Sequence, residues 1–182
     1  MIITVDEVNQ ILNLSGRDDQ IGAIIPPAEG FAIDYCKNFF HIKNQCVSGY
    51  DISFSSSDKK IINPSGSFIN DQNKFVAGLH IHVKNSIYND GFFSISSVSS
   101  EELIAGDNDN IIDEDSGALI NIYLVKIPEG FKLSLINYVG YLLRGLSKDL
   151  QSESIGDYSY SLKPEENILS NYFKAYRKIG VI

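Results

Sequence analysis

The chain has 182 residues, 43% of them hydrophobic and 21% charged, which is enough apolar material to bury a core and enough length for one large domain or two small ones. Its formal net charge of -8 argues against a protein that grips nucleic acid by its phosphates, because that takes a basic stripe. No apolar run approaches the roughly 18 residues that would nominate a membrane span, and Cys36 and Cys46 stand without a C-x-x-C or Cys/His grouping for zinc.

The opening residues lack the basic, apolar and small-residue pattern of a signal peptide. A protein of the cytosol, or one assembled from it, is therefore expected, with free thiols rather than a disulfide. Thr4-Val-Asp-Glu7 has the spacing of a capping box, and Val5, Val8, Ile11 and Leu12 mark one face of a short helix. Leu14-Ser-Gly-Arg17 stops it. Asp18 or Asp19 can cap a second helix, with an apolar stripe of Ile21, Ile24, Ile25, Phe31, Ala32, Tyr35 and Phe39. Pro26-Pro27 inside that stripe predicts a kink near Ile25, since the stripe stays in phase across it.

Beyond Phe40 the composition changes. Residues 47–128 are rich in Ser, Asn, Asp and Gly, and short alternating or β-branched runs predict strands at 50–55, 59–62, 79–84, 92–98, 102–105 and 119–127. Asn63-Pro-Ser-Gly66, Asn89-Asp-Gly91 and Asp107-Asn-Asp-Asn110 are turn-forming. Such spacing predicts a small antiparallel barrel or sandwich.

Helical spacing returns at Gly130. Phe131, Leu135, Tyr138, Leu142 and Leu146 share a face that Leu133, Ile136, Val139 and Leu143 widen, so this helix is expected at the centre of a bundle. Gly140 is a close-packing point or a weak spot. A stretch without helical spacing, Ser152-Glu-Ser-Ile-Gly-Asp-Tyr-Ser-Tyr-Ser161, precedes a last helix that Pro164-Glu-Glu opens. Its face is Ile168, Leu169, Tyr172, Phe173 and Tyr176, and Lys174, Arg177 and Lys178 crowd its end, where cations suit the helix dipole. The predicted fold class is α+β: a small all-α bundle of about four helices (residues 1–46 and 129–182) interrupted by an inserted antiparallel β barrel or sandwich (residues 47–128).

Catalytic and metal-binding patterns are sparse. His80 and His82, two apart in a strand, share a face and could share a metal, but an ordinary strand face is the preferred reading. His41 reads as a packed or capping histidine at a helix end. Asp107-Asn-Asp-Asn110 resembles the opening of a calcium loop, yet Ile111 and Ile112 occupy the places of the fifth ligand and the turn glycine, so a solvated turn is preferred. No G-x-S-x-G, Walker loop or G-x-G-x-x-G occurs, and Ser152 and Ser154 have no neighbouring base. No enzyme, cofactor or metal is expected. Tyr158 and Tyr160 in the loop, with Tyr172 and Tyr176 on the last helix, put amphipathic rings where an interface could use them. The helix pair could equally close the chain's own bundle.

Three separated pieces resemble the phage head-tail connector (adaptor) family. They are Ile25-Pro-Pro-Ala-Glu-Gly-Phe-Ala-Ile-Asp-Tyr-Cys36, the long apolar helix from Gly130, and the Ser-Glu-Ser-Ile-Gly-Asp-Tyr-Ser-Tyr loop with its closing Tyr-Arg-Lys helix. The β region departs from compact members and is similar to small β modules of phage virion proteins, through Tyr88-Asn-Asp-Gly-Phe-Phe-Ser-Ile95 and Asp113-Glu-Asp-Ser-Gly-Ala118. The resemblance implies a structural virion protein at the head-tail interface, assembled in the host cytoplasm as a homo-oligomeric ring, a dodecamer. That ring docks on the portal protein, with a stopper or tail-completion protein below it, and DNA passes through its channel without sequence-specific binding or any membrane partner. The subunit or portal interface is assigned to Ser154, Ile155, Gly156, Asp157, Tyr158, Tyr160, Tyr172, Tyr176, Arg177 and Lys178. The alternatives are a ligand- or carbohydrate-binding β module on a helical mount and, more weakly, an acidic metal-dependent enzyme.

Overall fold

A computed structural model describes residues 1–70, 73–149 and 165–178. The chain divides into two compact units. The sheet unit comprises Met1–Ile2 and Phe39–Ile127; the helical unit comprises Ile3–Asn38 and the described residues from Pro128 onward.

In the helical unit, α1 (Val5–Leu12) starts at the expected capping box. The Thr4 hydroxyl accepts from the Glu7 N–H at 3.1 Å and the Glu7 carboxylate accepts from the Thr4 N–H at 2.7 Å. Helix α2 (Asp18–Cys36) is capped by position, at Arg17, and not by Asp18 or Asp19, which lie in its first turn. It runs unbroken through Pro26 and Pro27. Both prolines are solvent-exposed, so the Gly22 and Ala23 carbonyls that lose their helical donors lie on the side nearest water. The buried stripe is Ile21, Ile25, Ala28, Ala32, Ile33 and Cys36. Phe31, expected in that stripe, is instead 52% exposed.

Helix α3 (Glu129–Asp149) buries Phe131, Leu135, Ile136, Tyr138, Val139 and Leu143. Gly140 is a close-packing point: a Cβ there would stand 2.8 Å from Leu12 Cδ1. Helix α4 (Glu165–Phe173) ends in a short 3-10 turn, Lys174–Tyr176. Its anchor is Phe173, fully buried, with its ring centroid 5.4 Å from Phe131 and 5.7 Å from Tyr138.

The sheet unit contains β1 (His41–Gly49), β2 (Ser53–Ser55), β3 (Lys60–Ile62), β4 (His80–Lys84), β5 (Gly91–Val98), β6 (Glu102–Ala105) and β7 (Ile120–Val125). All pairings are antiparallel, in the order β1-β7-β4-β5-β6-β3-β2. This overturns the expected fold class. The strands form one open seven-stranded sheet, not a barrel or sandwich inserted into a helical bundle, and the chain is a mixed α+β protein dominated by its strands.

Two features explain the difference. The first is β1, which sequence reading assigned to the helical part and which forms one edge of the sheet. The second is the opposite edge, where β2 meets the segment around Glu114: Phe54 and Glu114 exchange both backbone hydrogen bonds, at 2.9 and 3.1 Å. That edge is covered and does not return to β1. Strand β5 spans the sheet's two halves, pairing with β4 through Gly91 to Ser94 and with β6 through Ile95 to Val98, with an irregularity between Ile95 and Ser97. A continuous core including Phe54, Ile61, Phe68, Phe75, Ile81, Val83, Phe93, Leu103 and Ile122 fills one side.

Candidate functional site

The residues expected at an interface fall into two groups. Ser154, Ile155, Gly156, Asp157, Tyr158 and Tyr160 lie outside the described residues. Tyr172, Tyr176, Arg177 and Lys178 pack along the helical unit. The Tyr172 ring is 5.8 Å from Tyr138, and Tyr176 meets Phe131 edge-on at 5.4 Å. The Arg177 guanidinium lies 5.4 Å from the centroid of Tyr35, a cation-π distance. The Lys178 N–H donates to the Cys36 carbonyl at 2.8 Å. Asn38 Nδ2 donates to the Tyr176 carbonyl at 3.3 Å, so the end of α2 and the end of the chain's last described segment are tied twice. Gly130 matters here, because the Tyr176 hydroxyl occupies the space its missing Cβ would take. Cys36 is buried and faces the Phe173 carbonyl at 3.7 Å; burial, partly offset by Arg177, pushes its thiol up to about 11. It stays a thiol at neutral pH and has no nucleophilic character there.

On the sheet, sequence reading missed a row of rings. His80 and His82 do share a face of β4, but the partner of His82 is His41, the first residue of β1. His41 Nε2 and His82 Nδ1 are 2.9 Å apart. Phe39 and Phe92 both lie against His82, at 4.7 and 4.5 Å, and against each other at 6.4 Å, and Tyr123 of β7 stacks on His41 at 4.3 Å. Lys84 Nζ lies 5.3 Å from the Phe39 centroid. Burial, followed by the charges of His41 and Lys84, pulls His82 down from 6.5 to about 4. The alternation Phe39-x-His41 and His80-x-His82-x-Lys84 was the available signal. It went unread because β1 was unrecognised.

His41 is exposed and Phe39, Phe92 and Tyr123 are half-buried, so this row of rings borders water. Among the described residues, no group of three or more His, Cys, Asp or Glu could hold a metal. Asp109, in the calcium-like stretch, has a side chain only 1% exposed. Its carboxylate accepts from the Met1 amine at 2.8 Å, from the Ser94 N–H at 2.7 Å and from the Ser94 hydroxyl at 2.6 Å. Asp107, Asn108 and Asn110 are exposed, as a solvated turn requires, while Asp109 alone turns inward as an internal tie. Glu114 is likewise buried.

The chain matches no protein-family model, no curated protein and no solved structure with which it was compared. Among the described residues, no helix is long and apolar enough to cross a membrane.

Proposed function

We propose that the protein is a structural virion component, a head-tail connector that forms a homo-oligomeric ring under the portal protein and passes DNA to the tail. The observation that carries this reading is a convergence in the helical unit. The pieces with the connector resemblance are far apart in sequence: the Asp34-Tyr35-Cys36 end of α2, the apolar helix α3, and the closing Tyr176-Arg177-Lys178. They meet through the Arg177–Tyr35, Lys178–Cys36 and Tyr176–Phe131 contacts. A net charge of -8 fits a channel wall that repels a passing duplex and keeps it from sticking. Ring closure would use a heterologous, head-to-tail interface.

Native mass spectrometry and negative-stain class averages of the chain, alone and mixed with a portal ring, test the reading. Closed particles are expected, and changing Tyr158 and Tyr160 together to serine should abolish them while leaving the melting temperature of the monomer unchanged. A chain that stays monomeric with and without portal overturns the connector reading. Lost monomer stability with assembly intact would assign the two tyrosines to the fold.

A further inference from the structure

Ile87 and Tyr88 are 69% and 61% exposed, and Ile112 is 45% exposed. Single exposed apolar side chains are ordinary; the way these three are held is not. The Glu114 carboxylate, in a residue only 6% exposed, accepts the Ile87 N–H at 3.0 Å, the Tyr88 N–H at 3.1 Å, the Asn89 amide at 3.0 Å and the Ser86 hydroxyl. Asn89, 2% exposed, clasps the other segment: its Nδ2 donates to the Ile112 carbonyl at 2.9 Å, and its Oδ1 accepts the Ile112 N–H at 2.8 Å. One buried carboxylate and one buried carboxamide therefore bind residues 86–89 to residues 112–114. The three apolar side chains project from a backbone already ordered, so a partner that covers them loses little affinity to loop ordering.

Exposed carboxylates flank the tip. Asp90 is fixed by the Ser86 N–H at 2.8 Å, Asp113 by the Ser56 N–H at 2.6 Å, and Asp115 follows on the surface.

We propose that this tip is a protein-docking surface whose partner presents an apolar recess rimmed by lysine and arginine. Charge complementarity decides the occupant. A second copy bringing its own tip to this one would set carboxylate against carboxylate, whereas a basic rim would speed encounter and fix register. Three side chains cover a modest area, so the contact is weak alone or forms one part of a larger interface. The surface belongs to the sheet unit and does not depend on how the helical unit assembles.

The test titrates the isotope-labelled full chain with an amphipathic helical peptide whose leucine face is flanked by lysines. A second peptide carries glutamate in place of each lysine. Amide shifts confined to residues 86–90 and 112–115 are expected with the lysine peptide. They should weaken about tenfold, or about 1.4 kcal/mol, with the glutamate peptide, and equally in the Ile87→Ser/Tyr88→Ser chain, whose melting temperature should match the parent's. Shifts that map elsewhere, equal shifts with both peptides, or none at millimolar peptide overturn the proposal. Concentration-dependent shifts at the tip without peptide would assign it to a second copy of the chain and overturn it as well.

Discussion

His41 Nε2 and His82 Nδ1 face each other at 2.9 Å, joining the first residue of β1 to the middle of β4 across the intervening strand β7. One ring nitrogen of such a contact must donate and the other accept, so the contact tolerates one shared proton and is broken by two.

The pH dependence follows from His82, whose value of about 4 lies below the ordinary 6.5. Unfolding therefore takes up a proton between those values. The stability is fully present above about pH 6.5 and is lost as pH falls toward 4. The melting temperature should be flat above that window and decline through it. His82→Phe keeps a ring against Phe39 and Phe92 and removes the ionisation, so its decline over the same window should be shallower. An unchanged slope would place the acid sensitivity elsewhere.

Glu114 gives an independent acid limb. Burial raises its carboxyl, but donors from Ser86, Ile87, Tyr88 and Asn89 more than reverse that, and its pKa lies below the ordinary 4.5. The stability it contributes is present above that value and lost as pH falls below it. Glu114→Gln replaces one of its acceptor oxygens with a donor amide, so some of the four donors lose their partner. A cost of about 1–3 kcal/mol is expected, with faster amide exchange at Ile87 and Tyr88. Exchange unchanged at those two amides would show that the loop is held by other groups.

For the helical unit, Phe173→Ala should cost about 3–5 kcal/mol, because the ring is fully buried against Phe131 and Tyr138. Gly130→Ala should displace the Tyr176 hydroxyl and loosen the end of the chain without unfolding α3. Urea denaturation followed at the helical circular dichroism band measures the first, and tyrosine fluorescence the second. A cost under about 1 kcal/mol for Phe173→Ala would mean that the surrounding side chains collapse into the cavity.

What could be read in the sequence was mostly local chemistry. The capping box at Thr4 and Glu7 is two short-range hydrogen bonds, and both form. Each of the six predicted strand segments overlaps a strand, because β-branched runs between Asn, Asp, Gly and Pro turns carry their own signal. Strand β1 was missed: His41-Ile-Lys-Asn-Gln-Cys-Val-Ser-Gly49 is mostly polar, as suits an edge strand, and its burial is intermittent. Without it, the sheet's extent and the His41–His82 contact could not be foreseen. The burial of Asp109 and Glu114 was equally hidden. Whether a carboxylate in a turn faces water or collects backbone donors depends on segments distant in sequence, here residues 86–94 and Met1.

The last prediction concerns the division into two units. The Phe40 carbonyl accepts from the Lys126 N–H at 3.2 Å, and His41 pairs with Val125. The chain therefore enters and leaves the sheet unit on neighbouring antiparallel strands, whose paired Cα atoms are about 4.5–5.5 Å apart. A linker of a few residues, each reaching about 3.3–3.6 Å, should span the gap from Asn38 to Pro128. The helical unit keeps its own anchors in Phe173 against Phe131 and Tyr138, Gly140 against Leu12, and the Lys178–Cys36 backbone bond. The sheet unit keeps its continuous apolar core. Deleting residues 39–127 and closing with such a linker should leave a soluble product with a helical circular dichroism spectrum and a cooperative thermal transition. The excised segment, expressed separately, should give a β spectrum. A deletion product that loses its helical signal, while the isolated sheet segment still folds, would show that the helices depend on the sheet for their order.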